Sequence, residues 1–199
     1  KFDIMYKGEK LGSVELAIPG IHNVLNALAA IASAIYSGAK FEDCIKGLQE
    51  FKGAGRRFED LGTYNGIDFI DDYAHHPAEL KVTLEAAMKM GYNTVWAVFQ
   101  PFTYSRTAMH FDEFVDVLKI PDRCVMTEIM GSREVNTYDI YTSQLAEKIP
   151  NSVWFNTQEE VAEYVVNHAK AGDLVLTMGC GDIYKSAFMM IERLKNGTV

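Results

Sequence analysis

Hydrophobic and polar positions follow one pattern in residues 1–52 and another beyond them. The first part predicts a β-hairpin and two helices, which would be Phe2–Tyr6, Ser13–Ile18, 22–36 and Phe41–Phe51. Pro19-Gly20 is expected to break the chain between the hairpin and the first helix. The predicted core face of that helix is Val24, Leu25, Leu28, Ile31, Ala32 and Ile35. So few elements hold little core, which indicates the end of a larger domain.

From residue 53 onward, apolar runs that suit strands alternate with helical patterns. The predicted strands are 58–64, 67–71, 94–99, 123–129, 152–155 and 173–178. The predicted helices are 77–90, 108–118, 140–149, 158–171 and 183–194. Alternation of this kind is typical of an α/β fold with a mainly parallel sheet and helices on both faces. Asn65-Gly66 predicts a hairpin, so one strand of that sheet should be antiparallel.

Composition narrows the class of protein. The chain carries 27 acidic and 19 basic residues, a formal net charge of −8, and the whole excess lies in 53–199. Such a balance argues against a nucleic-acid-binding protein. No apolar stretch is long enough to cross a bilayer, and three widely spaced cysteines favour neither a disulfide framework nor a zinc site. We therefore expect a cytoplasmic protein without a membrane partner, whose chain, lacking an initiator Met, looks cut at its N-terminus.

Polar or glycine-rich segments follow four of the predicted strands. They are 72–77, 100–107, 130–134 and 179–182. In open α/β sheets, ligands bind beyond the carboxyl ends of the parallel strands. The four segments are therefore expected to meet at one edge of the sheet and to form the functional site.

The segment after predicted strand 67–71 is dense in reactive side chains. Its sequence is Asp72-Tyr73-Ala74-His75-His76-Pro77. His75 or His76 could bind a carboxylate or phosphate, or transfer a proton. The alternative is a helix start with Pro77 in its first turn and solvated histidines. Position and density favour the functional interpretation.

Four arginines are candidate anion binders, because a guanidinium holds carboxylate or phosphate with a bidentate fork. They are Arg56, Arg57, Arg106 and Arg133. For any single arginine an exposed surface position is the more frequent outcome. Gly179–Asp182 could hold an anion at a helix start, but a tight turn capped by Asp182 is favoured. Cys180 has no evident partner that would activate its thiol.

His22 and Asn26 lie four residues apart, on one face of the predicted first helix. The amide of Asn26 could pair with an adenine edge through its donor and acceptor groups. The alternative is that these residues form a helix cap and a packed interior. From spacing alone, this alternative is preferred over an adenine contact.

Taken together, five segments resemble the Mur ligase family. They are PGIHNVLNALAA, GAGRRFED, IDDYAHHPAE, VFQPFTYSRT and GDLVLTMGCGDIY, and they occur in the family's order over almost the whole chain. The combination of DDYAHHP with FQPxxYSRT points to the alanine-adding members. The resemblance implies that residues 1–52 end a central ATPase domain and that residues 53–199 form a Rossmann-like C-terminal domain.

The activity implied by the resemblance is ATP-dependent ligation of L-alanine to UDP-N-acetylmuramate in peptidoglycan precursor synthesis. The C-terminal domain would close over ATP and bind the incoming amino acid. ATP and Mg²⁺ are implied for the full-length enzyme, with the metal ligands outside this sequence. The family's phosphate-binding motif, G-x-x-G-K-[ST], is absent here, so we expect the chain alone to be inactive and to bind ATP weakly.

Roles carry over to matching positions only. The resemblance implies nucleotide contacts for His22, Asn26, Arg57 and Asp72. It implies contacts around the incoming alanine for Tyr73, His75 and Arg106, with Arg106 and His75 as catalytic groups. Phe102 and Thr103 depart from the common FQPHRYSRT pattern, which leaves more of the anion binding to Arg106. The alternative is a stand-alone regulatory α/β domain that binds a nucleotide or an amino acid.

Overall fold

The computed structural model describes residues 1–18 and 21–197. The chain forms two compact units, an N-terminal unit, Lys1–Gly55, and a C-terminal unit, Arg56–Val199. The chain break expected at Pro19-Gly20 lies outside the described residues. The assignment of the first unit to a central ATPase domain stays a prediction.

The N-terminal unit begins with an antiparallel hairpin of β1 (Phe2–Tyr6) and β2 (Glu9–Val14). Lys7 and Gly8 connect the strands with φ of 51° and 89°, the left-handed conformation that a two-residue hairpin turn requires. The second strand was predicted at Ser13–Ile18, which is wrong. Because Gly8 allows so short a turn, pairing resumes at once with Glu9 opposite Tyr6.

Two helices follow the hairpin, α1 (Ile21–Tyr36) and α2 (Phe41–Glu50). The α1 residues Ala27 and Ile31 are buried, and Ile31 packs with Ile4 and Val14 of the hairpin. The predicted core face was wrong at Leu25, Ala32 and Ile35, which are exposed. Since α1 is apolar on most sides, its sequence could not select the face that meets the hairpin.

The C-terminal unit is built on a six-stranded sheet in the order β3-β4-β8-β5-β6-β7. Its strands are β3 (Glu59–Tyr64), β4 (Ile67–Asp72), β5 (Val95–Phe99), β6 (Arg123–Thr127), β7 (Ser152–Phe155) and β8 (Leu174–Met178). Only the β3–β4 pair is antiparallel, and its turn uses Asn65 and Gly66 with φ of 52° and 78°. The predicted α/β fold class is confirmed.

Helices cover both faces of this sheet. They are α3 (Pro77–Met88), α4 (Tyr104–Met109), α5 (Phe111–Val117), α6 (Thr142–Ala146), α7 (Gln158–His168) and α8 (Tyr184–Asn196). Leu80, Phe114 and Leu145 bring α3, α5 and α6 into the core on one face. Val161 and Met190 bring α7 and α8 into the core on the other face. The chain thus changes face after β7, and β8 inserts between β4 and β5.

One predicted helix, 108–118, is two helices in the structure. Thr103 caps α4 early, by accepting a hydrogen bond from the Arg106 backbone N–H. His110 then departs from helical geometry, with φ −113° and ψ 27°, and separates α4 from α5. The short first helix carries Arg106 next to the carboxyl end of β5.

Candidate functional site

Four loops of the C-terminal unit leave the same edge of the sheet. They follow the carboxyl ends of the parallel strands β4, β8, β5 and β6. The loop after β8 leads to α8, on the opposite face from the helices that follow β4 and β5. Loops that diverge in this way leave a crevice between the strand ends, where ligands bind in such folds.

Arg56 connects β4 with the loop after β8 at the crevice. Its Nε donates to Asp71 Oδ2 at 2.7 Å, Nη1 to the Gly181 carbonyl at 2.8 Å and Nη2 to the Gly179 carbonyl at 2.6 Å. Asp71 is buried and also accepts from the Thr177 hydroxyl. All three guanidinium nitrogens thus have acceptors within the chain. Arg56, a candidate anion binder in the sequence, therefore holds the glycine loop in place.

Asp72 anchors the start of the loop after β4. Its two carboxylate oxygens accept from the backbone N–H groups of Phe58 and Ala74, each at 2.8 Å, and the side chain is buried. Burial raises the pKa of Asp72 above its ordinary value, although the two backbone donors partly offset this. Both oxygens therefore already bind backbone, and the nucleotide contact of Asp72 stays a prediction.

Tyr73 presents a half-exposed aromatic face at the crevice. The guanidinium carbons of Arg56 and Arg57 lie 5.2 and 5.4 Å from its ring centre, and the His75 ring lies 5.6 Å away. Cations at such distances are attracted to an aromatic face. Arg57 is exposed, and within the described part of the chain its guanidinium makes no ion pair. It is available to an anionic ligand.

The His75 ring is oriented by its own loop. Its Nδ1 lies 3.0 Å from the Tyr73 carbonyl and 3.3 Å from Glu79 Oε2. Because a carbonyl oxygen can only accept, Nδ1 carries the proton, and the Nε2 of a neutral ring has a lone pair. Nε2 is therefore the atom that can meet a ligand, as an acceptor when neutral and as a donor when the ring is charged.

His76 and Glu79 instead begin α3. The Ala78 backbone N–H donates to His76 Nδ1 at 3.3 Å, and Glu79 Oε2 accepts from the backbone N–H groups of His75 and His76. Burial raises the pKa of Glu79, but these donors and the nearby charges bring it below its ordinary value. Of the two adjacent histidines, His76 is therefore the cap of α3, and the His75 side chain has no such role in the helix.

At this edge of the sheet, Arg106 has a side-chain donor that lacks a hydrogen-bond acceptor within the described chain. It lies on α4, and its Nη1 is buried without an acceptor among the residues described. A buried donor on a charged group costs free energy when it has no acceptor. The charge of Arg106 acts on Glu134, but no ion pair joins them in the described structure, and the Glu134 oxygens accept from the Ser105 backbone N–H at 2.8 Å and from the Ser105 hydroxyl at 2.5 Å. The arrangement suits a carboxylate or phosphate ligand.

In the loop Gly179–Asp182, the backbone of Gly179 requires glycine, and Gly181 packs closely against the ends of two flexible side chains. A Cβ on Gly179, whose φ is 149°, would lie 3.1 Å from the Gln100 carbonyl oxygen, and one on Gly181 would lie 2.7 Å from Met130 Sδ. Burial raises the pKa of the Cys180 thiol, which makes a reactive thiolate unfavourable. The predicted cap by Asp182 is wrong, because its carboxylate binds the Gln158 amide and Lys185 instead.

Sequence reasoning missed two residues of this site. Gln100 directly follows β5, its side chain is buried, and its Oε1 has no partner in the described structure. Glu79 closes the capping box, a role that its spacing from His76 could have indicated. At the two positions that depart from the common pattern, Thr103 caps α4 and the Phe102 ring lies against Gly181.

Two predicted nucleotide contacts belong to the N-terminal unit. His22 and Asn26 both lie in α1, and Asn26 is exposed. The side chain of His22 is outside the described structure. Their contact with adenine stays a prediction. In residues 1–18 and 21–197, no cluster of three acidic, histidine or cysteine side chains could hold a metal ion, and no helix is long and apolar enough for a membrane span.

Comparison with known proteins places this fold in a family. Residues 56–181 match the family model described as Mur ligase, glutamate ligase domain. The UDP-N-acetylmuramate–L-alanine ligases of Lachnospira eligens and Acetivibrio thermocellus are 44% and 42% identical to the chain, over 92% and 96% of it. The chain spans 41% and 42% of the length of those two relatives.

A solved structure gives the same result. The UDP-N-acetylmuramate–alanine ligase of Thermotoga maritima superposes with a TM-score of 0.73 at 26% identity, over 92% of this chain and 40% of that one. The motif order found in the sequence, the sheet topology and the family match agree with one another. The chain belongs to the Mur ligase family.

Proposed function

We propose that this chain is the C-terminal part of an ATP-dependent ligase that joins L-alanine to UDP-N-acetylmuramate. The names of the two relatives support the substrates, and the sequence motifs support the alanine-adding type. Because the chain spans about two fifths of those relatives, the activity belongs to the complete protein that contains it. The observation that carries the proposal is the buried Nη1 of Arg106 at the crevice, which has no partner among the described residues.

Arg106 and His75 would bind the incoming alanine. Both follow carboxyl ends of parallel strands at the same sheet edge, so their side chains can approach one small ligand. A guanidinium is well suited to hold the carboxylate of a free amino acid. The Nε2 of His75 would add a single hydrogen bond. Holding the amino acid in this way positions its amine for attack, which is a contribution of proximity.

Arg57 and Tyr73 would face the nucleotide. Arg57 is exposed, has no ion pair in the described chain and lies against Tyr73, which suits a phosphate contact. Asp72 would shape this loop through its backbone contacts as well as reach the ribose. ATP supplies the phosphoryl group that activates the muramoyl carboxylate, with Mg²⁺ ligands and a phosphate-binding loop outside this chain. His22 and Asn26 would meet the adenine.

Negative charge grows on the reacting carbonyl when the amine attacks. Oriented cations near such a centre stabilise the transition state more than the ground state. Arg57, Arg106 and Arg133 lie in or next to the loops of the crevice and make no ion pair among the described residues, whereas Arg56 is used within the fold. The chain therefore supplies charge and position, and no nucleophile.

The test is Arg106→Ala in the complete protein, with ADP formation followed while each substrate is varied. The loss of a charge-assisted contact should remove about 2–4 kcal/mol of transition-state stabilisation, or about 30- to 1,000-fold in kcat/KM for L-alanine. His75→Ala should have a smaller effect, because a neutral imidazole contributes one hydrogen bond. The KM for ATP should change less than that for L-alanine in both variants.

A matched control is Arg123→Ala. Arg123 is exposed and begins β6, at the opposite end of the sheet from the crevice. It should retain the parent kinetics. If Arg106→Ala left the kinetics with L-alanine equal to those of this control, Arg106 would not bind the amino acid.

The second candidate function is a stand-alone regulatory domain that binds a nucleotide or an amino acid. It would be favoured if the chain were complete, because this sequence lacks G-x-x-G-K-[ST]. The codons upstream of Lys1 discriminate between the two, because that motif there would establish the ligase. Calorimetry on the chain alone should show only weak ATP binding, and micromolar affinity would contradict the proposed division of roles.

A further inference from the structure

The buried side chain of Gln100, directly after β5, has one oxygen without a hydrogen-bond partner among the described residues. Gln100 is 7% exposed, and its Nε2 donates to the Glu128 carbonyl at 3.4 Å. Because that carbonyl can only accept, the amide nitrogen must face it, and Oε1 points away. Oε1 is buried and has no hydrogen-bond partner among the described residues. Buried acceptors are nearly always paired, so this one marks a place for a missing donor.

The unused oxygen faces the glycine loop after β8. A Cβ on Gly181 would lie 2.9 Å from Gln100 Oε1, so the oxygen packs closely against this part of the loop. Arg106 approaches the same loop, since its charge acts on the Cys180 thiol, and its Nη1 is also buried without a partner in the described chain. Gln100 Oε1 thus lies against this four-residue loop, and the charge of Arg106 acts on Cys180 of the same loop.

We propose that Gln100 Oε1 accepts a hydrogen bond from the amino group of the incoming amino acid while Arg106 holds its carboxylate. This inference rests on the proposed function, because it adds a second contact to the same substrate. A free α-amino acid carries a donor and an acceptor group on one carbon, which matches these two atoms. Because both atoms are buried, this contact requires the two side chains to turn toward the ligand when it binds.

The contact would select and position the amine. A carboxylic acid without an amino group could still bind Arg106 but would leave Gln100 Oε1 unpaired, at the cost of a buried acceptor. The hydrogen bond also restricts rotation of the amine about the Cα–N bond, which favours a geometry ready for attack. Gln100 therefore distinguishes an amino acid from the corresponding acid, and Arg106 distinguishes it from the corresponding amide or amine.

The test is Gln100→Met in the complete protein, because methionine keeps the length of the side chain and removes both polar atoms. The KM for L-alanine should rise about 10- to 100-fold, as expected for a lost hydrogen bond to a charged or polarised amine. Inhibition by L-alaninamide, which keeps the amine, should weaken similarly. Inhibition by propionate, which lacks the amine, should stay within about twofold, below what loss of one hydrogen bond produces.

Arg106→Ala should give the opposite pattern, with weaker inhibition by propionate and little change with L-alaninamide. Gln49→Met is the control for the exchange of glutamine for methionine, since Gln49 is an exposed residue of α2 in the N-terminal unit. This control should leave unchanged the KM for L-alanine and the inhibition constants of L-alaninamide and propionate. If Gln100→Met fails to fold, Gly181→Ala keeps the amide and places a methyl group in front of its oxygen, and it should show the same selectivity.

Two results would overturn the inference. One is an unchanged KM for L-alanine in Gln100→Met or, where that variant does not fold, in Gly181→Ala. The other is an equal loss of propionate and L-alaninamide inhibition, which would mean general damage to the site or a structural water at Oε1. A parent protein that forms no ADP with L-alanine would refute the proposed function itself, together with this inference.

Discussion

The N-terminal and C-terminal units differ most in how much apolar surface they bury. In the N-terminal unit, the buried hydrophobic residues among those described are Ile4, Val14, Ala27 and Ile31, and α2 buries none of its residues fully. In the C-terminal unit, β5 and β8 are buried along their whole length, and helices pack on both sides of the sheet. Since apolar burial is the main driving force for folding, the second unit should be the more stable.

The same comparison shows what an amphipathic pattern can and cannot determine. Helix α1 leaves Ile21, Leu25 and Tyr36 exposed by 77%, 61% and 83%. Helix α3, by contrast, buries Leu80 and Leu84 completely against the sheet. Both sequences predict helices, but only a helix with a large neighbouring surface has a defined core face. An exposed apolar stripe of this kind tends to attract another chain.

The largest expected difference between the units is in matched core substitutions. Leu84→Ala in α3 should cost about 3–4 kcal/mol, because Leu84 is fully buried and its removal leaves a cavity. Leu28→Ala in α1 should cost about 1–2 kcal/mol, since Leu28 is only partly buried. Urea unfolding followed by tryptophan fluorescence reports the C-terminal unit alone, because the two tryptophans are Trp96 and Trp154.

Circular dichroism in the helical region reports both units and completes that measurement. Leu84→Ala should shift the fluorescence transition to lower urea. Leu28→Ala should leave that transition unchanged and shift only the circular dichroism change that comes from the N-terminal unit. Equal free-energy losses for the two substitutions would contradict the difference in core size.

A smaller difference is expected in native-state hydrogen exchange. Amides of residues 21–50 should exchange at least about 100-fold faster than those of β5 and β8, because exchange from a small core needs only local opening. Mass spectrometry of peptides from each unit would measure this. Equal protection in a monomer would mean that the two units unfold together.

The smallest expected effect is the contribution of Glu79 to the pH dependence of folding stability. Hydrogen bonds from the His75 and His76 backbone and nearby charges hold the pKa of Glu79 below its ordinary value against the opposing effect of burial. A depressed folded-state pKa gives stability that is present above the unfolded pKa of about 4.3 and is lost as pH falls through the folded value. Glu79→Gln keeps the accepting oxygen but cannot titrate.

The variant should therefore lose less stability than the parent between pH 7 and acidic pH, as measured by urea midpoints from tryptophan fluorescence. Glu85→Gln is the matched control, because Glu85 is an exposed residue of the same helix and should keep the parent slope. Parallel slopes for Glu79→Gln and the parent would show that Glu79 is not linked to folding.

Much of the C-terminal unit followed from local sequence signals. Asn65-Gly66 predicted the β3–β4 hairpin, and both residues adopt the positive φ that this turn needs. Continuous apolar runs predicted the buried strands β5 and β8. The start of β2 and the break at His110 were not predicted, because a short turn and a local deviation from helical geometry leave weak signals in composition.

The candidate site was predicted in outline. Loops that carry His75 and Arg106 were expected at one sheet edge, and the strand pairing confirms that placement. The roles of Arg56 and His76 were not resolved from sequence, because both residue types suit a ligand as well as a scaffold. Only the contacts of Arg56 with Asp71 and of His76 with Ala78 reveal that these side chains serve the fold.

The sequence by itself determined the order of strands and helices in the C-terminal unit, its hairpin and the position of its polar loops. These depend on periodicity and turn chemistry within a few residues. The tertiary structure alone decided that β8 inserts between β4 and β5, which brings Gly181 to Arg56 across 125 positions of the chain and places Gln100 against the same loop. Strand order and buried hydrogen bonding depend on packing between distant segments, and no local pattern encodes which of these segments become neighbours.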